Sequence, residues 1–171
     1  MTLGFVTKIG NKPTLFVEKI WKGIEDHEIT KELCDATFKY GFNWDKYGSI
    51  NAKIHTIRAD TPNRWKVGNK IHFAINNQTK DRFQFAPILL VKHTQDFEIK
   101  YLVLKERTVV SIYVDQILQG EIILVNCAVK SSSSTVDKIA LNDGFDSIND
   151  FLEWFDSDFK GKLIHWTDFK Y

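Results

Sequence analysis

Apolar residues alternate with polar ones in some stretches of this chain and recur at helical spacing in others, and the changes of period divide it into elements. Residues 2–8 alternate loosely and predict an opening strand. From Pro13, a tolerated first-turn residue, Leu15, Phe16, Lys19, Ile20, Gly23 and Ile24 fall at helical spacing. Ile29, Leu33, Thr37 and Tyr40 continue at intervals of three and four, predicting a second helix that Gly41 ends, and residues 43–51 read as a loop. From residue 53 the chain is dominated by β-branched and aromatic runs at 53–58, 69–76, 83–93, 96–104, 108–114 and 121–129. Turn signals stand at Pro62-Asn63, Asn76-Asn77, Lys105-Glu106 and Gln119-Gly120. Connections this short predict antiparallel neighbours, and strands that must hide their edges curl toward a barrel. A polar spacer at 131–134 precedes a helical stretch from Asp137. A second helix is capped by Ser147, with Asp150 near the acid position of a capping box and Phe151, Leu152, Trp154 and Phe155 on its apolar face. A final strand at 162–170 sets Leu163, His165, Thr167 and Phe169 against Ile164, Trp166, Asp168 and Lys170.

With 171 residues the chain has the size of one domain, so a single α+β unit spanning 1–171 is expected. Hydrophobic residues at 43% and charged residues at 26% are ordinary globular values and exclude a disordered chain. Cys34 and Cys127 form no metal or disulfide spacing, which predicts a reduced, intracellular protein. No apolar run approaches the roughly 20 residues that span a bilayer, so a cytoplasmic location is expected. The net charge of +1 hides a division. Between residues 46 and 82 eight bases stand against two acids, and between 137 and 158 seven acids stand against Lys138. That pattern suits an anionic ligand on the basic face, or equally two segments that pair with each other.

The densest chemistry lies in Lys53-Ile54-His55-Thr56-Ile57-Arg58, where an amine, an imidazole, a hydroxyl and a guanidinium share six positions. Thr56 is a candidate nucleophile and Lys53 a candidate base, since a hydroxyl needs a neighbour to take its proton. In a continuous strand these two side chains point to opposite faces, so they converge only if Lys53 precedes the strand or the strand bulges. The alternative gives Thr56 a packing role and Lys53 a solvated one. Arg58 shares the face of Thr56 and offers a fork for a phosphate or carbonyl, or a salt bridge to the acidic segment, with Asp143 as one partner. Asp143, just before Gly144, reads either as a helix cap or as a general acid or base. Arg64, Trp65 and Lys66 place a ring between two bases, either to stack on a nucleobase or to plug a barrel end. The five histidines show no ligand spacing, so no metal and no cofactor are expected.

The pattern from Lys53 to Arg58, followed by Trp65-Lys66-Val67-Gly68 and a strand, resembles the ASCH family, whose fold is a PUA-like barrel. Ala140 to Phe145, the aromatic run Phe151 to Phe155, the stretch Pro13 to Ile20 and the closing Trp166-Thr167 fit the same pattern. Residues 25–50 and 95–120 then stand as insertions. The resemblance implies a PUA-like, mostly antiparallel β-barrel flanked by N-terminal and C-terminal helices. It also implies a cleft for RNA or a modified nucleotide; by their own chemistry Arg58, His55, Arg64, Trp65 and Lys66 are the candidate ligand-binding residues. Some members are similar to small amidohydrolases that remove the acetyl group from N-acetylated cytidine with a Lys, a Thr and a Glu. Lys53 and Thr56 match as they stand, and Asp143 takes the place of the Glu, one methylene shorter. The expected functions are therefore ligand binding, amide hydrolysis on a nucleobase, or a protein-interaction barrel with no small ligand.

Overall fold

The structure, a computed structural model, describes residues 1–27 and 50–171. The helix expected over 29–40, nearly all of the following loop and Cys34 lie outside the described residues. The opening strand β1 (Thr2–Phe5) runs into a small hairpin, β2 (Lys8–Ile9) and β3 (Lys12–Pro13), turning at Gly10 with φ 55°. Pro13 therefore ends this hairpin instead of opening the helix. The Thr14 hydroxyl donates to the Val6 carbonyl at 2.7 Å, and α1 begins only at Phe16, as Phe16–Asp26. The apolar stripe behaves as its spacing predicts, and Ile20, Trp21 and Ile24 are fully buried.

Two sheets follow. In the first, β1 pairs in parallel with β5 (Lys70–Ile75), and β5 pairs antiparallel with β6 (Phe83–Gln84) and β7 (Leu89–Leu90). The single run expected over 83–93 is interrupted because Pro87 has no N–H for a ladder. The second sheet has six antiparallel strands and contains β4 (His55–Arg58), β8 (His93–Val103), β9 (Thr108–Val114), β10 (Ile117–Val125), β11 (Ala128–Ser132) and β12 (Phe159–His165). Its order is β11-β10-β9-β8-β12-β4. Helices α2 (Ser134–Asn142) and α3 (Ile148–Trp154) complete an α+β fold with a curled, mostly antiparallel sheet.

The turns around β10 differ from expectation in two ways. Asp115–Gln116 and Asn126–Cys127 adopt positive φ at both central positions, forming two-residue hairpin turns without the glycine that usually signals them. The expected turn at Gln119-Gly120 is instead a bulge inside β10, where a Cβ on Gly120 would lie 2.0 Å from Ser133 Oγ. The polar stretch 131–134 is no spacer. It ends β11, and Ser133 caps α2 by accepting from the Val136 N–H at 3.3 Å. Ser147 caps α3 as expected, its hydroxyl accepting from the Asp150 N–H at 3.2 Å and donating to Asp150 Oδ2 at 2.7 Å. The shorter acid thus meets the cap's hydroxyl, where the acid of a capping box meets its backbone N–H.

The apolar residues form two cores. Residues of β1, α1 and β5 pack with Trp65 and Trp166, while α2 and α3 lie against the six-stranded sheet through Val136, Ile139, Phe145 and Phe151. Strand β12 stops at His165, yet Trp166 continues inward and meets the Phe73 ring edge-on at 5.2 Å, tying the second sheet to the first.

Candidate functional site

The two sheets present edges to each other at β1 and β4, and no ladder joins these strands. Arg58 bridges them instead: its guanidinium donates to the Gly4 carbonyl at 2.7 Å and lies 5.1 Å from the Phe5 ring centroid. Beside that bridge opens a cleft lined by Lys53, Thr56, Arg58 and Asp143, with Phe5 and Phe16 among its walls. The facing problem raised by the sequence is resolved by where β4 begins. Lys53 precedes the strand, its N–H donates to the Lys19 carbonyl at 2.8 Å, and the Ile54 N–H donates to the Asn142 carbonyl at 3.0 Å. Those bonds lay the 53–54 segment between α1 and the end of α2, so the amine turns to the same cleft as Thr56.

Asp143 reaches the cleft because α2 ends there and Gly144 follows with φ 90°. A side chain at Gly144 would press within 2.9 Å of Lys53 Cδ and 3.1 Å of the Phe16 ring, so the turn needs glycine for both conformation and space. The Asp143 carboxylate accepts from Lys53 Nζ at 2.5 Å and from the Ile57 N–H at 3.1 Å. Lys53 Nζ also donates to the Asp143 backbone carbonyl. The salt bridge that the sequence offered to Arg58 thus belongs to Lys53.

Lys53 and Asp143 are 2% and 4% exposed, and burial dominates their titration. It lowers the Lys53 amine to about 8, against the pull of Asp143 and with help from the charges of Arg58 and Lys19. Burial likewise raises the Asp143 carboxyl above its ordinary range, against Lys53, Arg58 and the Ile57 N–H. Both shifts favour the uncharged forms, so the proton between the two groups is more easily exchanged than in a surface pair. This arrangement can supply a neutral amine near physiological pH.

The space beside these groups is only about 30 Å³, the room of a small group such as a water or a carbonyl. Two larger recesses adjoin it. One of 570 Å³ shares Phe5, Val6 and Arg58 and runs along Asn76, Asn77 and Gln78. The other, 290 Å³, shares Phe16 and Phe145 and is bounded by Lys19 and Asp146, which pair at 2.6 Å. A guest would therefore lie in an outer recess and present one small polar group to Lys53.

Compared with protein-family models, curated proteins and solved structures, the chain matches none.

The remaining sequence candidates divide. His55 is fully buried on the other side of β4, with Nε2 2.9 Å from the Tyr171 hydroxyl, and it does not line the cleft. Trp65 is 4% exposed inside the first core, leaving no ring face for a base, and it takes the plugging role. Its position is set by Asp60, whose carboxylate accepts from the Arg64 and Trp65 N–H groups at 3.0 and 2.9 Å. Burial raises the Asp60 pKa, but those two N–H groups together with the Arg64 guanidinium outweigh it and hold the net value below the ordinary range. Arg64 and Lys66 are exposed and lie outside the lining of the Lys53 cleft. Among the described residues no group of three or more His, Cys, Asp or Glu side chains is arranged to hold a metal ion.

Sequence reasoning lets His55 and His165 share a cleft if their strands are neighbours; the strands do pair, but the two rings are buried against each other instead. His165 stands opposite both His55 and His93 in the sheet, and its ring lies 5.1 Å from that of His55. Among the described residues neither ring nitrogen of His165 has a hydrogen-bond partner, and burial, with His93 adding to it, lowers its pKa to about 4. Cross-strand register is the missing signal, since residues far apart in sequence meet only once strands pair. The unfolded chain takes up the His165 proton near 6.5 and the folded chain only near 4, so stability falls as pH drops through that window. The loss amounts to roughly 3 kcal/mol once both forms are protonated. Urea titrations between pH 7 and pH 4 are expected to show this slope, and His165→Leu to make it shallower, with burial of His55 supplying a contribution of the same sign. An unchanged slope in that variant would place the acid sensitivity elsewhere.

Proposed function

We propose that this protein binds RNA or a modified nucleotide in the cleft between its two sheet edges, in the manner of the PUA-like barrels that the ASCH resemblance implies. The observation that carries the reading is the convergence of Lys53, Thr56, Arg58 and Asp143 on one cleft flanked by larger recesses. Arg58 supplies a planar donor suited to a phosphate or a base carbonyl. The amide side chains of Asn76, Asn77 and Gln78 along the adjoining recess offer both donors and acceptors for a base edge. Phosphate contacts release counterions, so affinity for a short RNA is expected to fall with rising salt, while a neutral modified nucleoside binds with little salt dependence. Arg58→Gln weakens both ligands. Titration calorimetry checks this, and heats indistinguishable from dilution for every nucleic-acid ligand would favour a protein partner instead.

A second reading, hydrolysis of an N-acylated nucleobase, is favoured by the buried amine whose pKa is lowered to about 8. In that reaction neutral Lys53 takes the Thr56 hydroxyl proton and the Thr56 oxygen attacks the amide carbon. The carbon–nitrogen bond breaks, and the freed ring amine receives its proton from Lys53 or Asp143. Water then hydrolyses the acyl ester, releasing the acid and restoring Thr56. Because the working form of Lys53 is uncharged, kcat/KM for N-acetylated cytidine is expected to rise with pH and level off above about 8. Lys53→Ala or Thr56→Val is expected to remove the activity. Turnover that survives both substitutions, or that falls as pH approaches 8, excludes this chemistry.

A further inference from the structure

Tyr171 lies behind the cleft and is fixed there more firmly than a surface tyrosine. Its backbone is clamped by Gln95 of β8, whose Oε1 accepts the Tyr171 N–H at 2.9 Å and whose Nε2 donates to the Tyr171 carbonyl at 2.9 Å. Its ring meets Phe169 edge-on at 4.9 Å. The hydroxyl so held has two neighbours: Asn142, the last residue of α2, donates from Nδ2 at 2.8 Å, and His55 Nε2 lies at 2.9 Å. Asn142 Nδ2 can only donate, so of these two neighbours His55 Nε2 alone can accept the Tyr171 hydroxyl proton, which would otherwise be buried unpaired. The Nε2 atom of His55 is then an acceptor, and the ring proton resides on Nδ1. Among the described residues that nitrogen has no hydrogen-bond partner, and it lies 3.9 Å from Asp143 Oδ1.

We propose that Tyr171 is a positioning residue for the Lys53–Asp143 pair, acting through His55: by donating to Nε2 it keeps the imidazole proton on Nδ1, turned toward the Asp143 carboxylate. At 3.9 Å this N–H does not bond Asp143 while Lys53 holds the same oxygen. It is the donor in reserve when Lys53 swings to a ligand or gives up its proton. The opposite tautomer would set an imidazole lone pair against the carboxylate oxygen, a repulsive contact between two buried groups in a low-dielectric place. The ionisable groups nearest His55 are Lys53, Asp143, His165 and Tyr171. Burial keeps the Tyr171 phenol protonated and the His55 ring neutral, consistent with one donor and one acceptor meeting there. The role assigned to Tyr171 in ligand handling rests on the cleft being the working site, whereas the tautomer is measurable without any ligand.

The test is a long-range nitrogen–proton correlation spectrum of the full chain at neutral pH. In the parent protein His55 is expected as the Nδ1–H tautomer. Tyr171→Phe removes the donor and is expected to convert His55 to a mixture or to the Nε2–H form, with the fold retained by circular dichroism. Ligand affinity, or kcat/KM with N-acetylated cytidine, then falls by up to roughly tenfold, the size of one net hydrogen bond. Asn142→Ala is the second variant: it frees the hydroxyl to rotate and is expected to give an intermediate tautomer ratio even where Tyr171→Phe folds poorly. The Nε2–H form in the parent, or tautomers unmoved by either substitution, overturns the assignment. The expected tautomer changes in a protein that binds no nucleoside support the assignment and count only against the binding reading.

Discussion

Lys53→Met is expected to cost about 3–5 kcal/mol of folding stability, the penalty for leaving a buried charge without its partner. The amine it removes satisfies both the carboxylate and the backbone carbonyl of Asp143, in a place where water has almost no access. Domains of this kind are stable by about 5–15 kcal/mol, so the loss is a large fraction of the total. It should appear as a lowered urea midpoint with an unchanged slope. Adding Asp143→Asn to the same chain removes the stranded carboxylate, and the double variant is expected to be more stable than Lys53→Met alone. Asp143→Asn by itself leaves the cation unpaired and has a distinct pH signature. Lys53 already titrates near 8 when folded and near 10.5 when unfolded, so the unfolded chain holds the extra proton between those values and stability rises with pH across them. Without the attraction of Asp143 the folded value drops further, and the rise begins at lower pH. A cost below about 1 kcal/mol for Lys53→Met would mean that the pair is hydrated, since exposed ion pairs contribute no more than that.

The second large effect is expected at Gly23, where local and tertiary preferences oppose each other. In an isolated helix Gly23→Ala would be stabilising by about 1 kcal/mol. Here a Cβ at that position lies 2.4 Å from the Lys53 carbonyl oxygen and 3.3 Å from Ile54 Cγ2. The obstacle is backbone, so no rotamer change relieves it. Moving α1 away breaks the bond from the Lys53 N–H to the Lys19 carbonyl and displaces the amine from the cleft. Net destabilisation of about 2 kcal/mol or more is expected, in the range of other overpacked cores. Misplacing the amine by about 1 Å is expected to lower any Lys53-dependent binding or turnover by roughly a hundredfold. Thermal unfolding and ligand titration of Gly23→Ala read the two effects separately. A variant more stable than the parent would show that the helix does not approach the Lys53 segment this closely.

The candidate site was legible in parts. Lys53, Thr56, Arg58 and Asp143 stood out because their side chains are chemically expensive to place in or beside β-branched and turn segments. The sequence could not assign the ion pair, because whether Asp143 faces Lys53 or Arg58 depends on where α2 ends relative to β4. Asn142 and Tyr171 carried no local signal: each is ordinary in its own segment and acquires a role from the end of α2 or from the clamp by Gln95, while the pairing of His165 with His55 waited on cross-strand register. Trp65 could be read two ways until burial decided.

The chain's own pattern determined the apolar stripe of α1, the caps at Ser147 and Asp150, the strand-rich middle and the α+β class, because these follow from spacing and from bonds between near neighbours. The tertiary structure decided the parallel pairing of β1 with β5, the hairpin turns at Asp115–Gln116 and Asn126–Cys127, and the open seam between β1 and β4 that Arg58 bridges. Those features depend on which distant segments meet. The same holds for the lowered amine of Lys53: its charge is unremarkable in sequence, and only burial beside Asp143, between two helices and a sheet edge, brings its proton into the range where it can be exchanged.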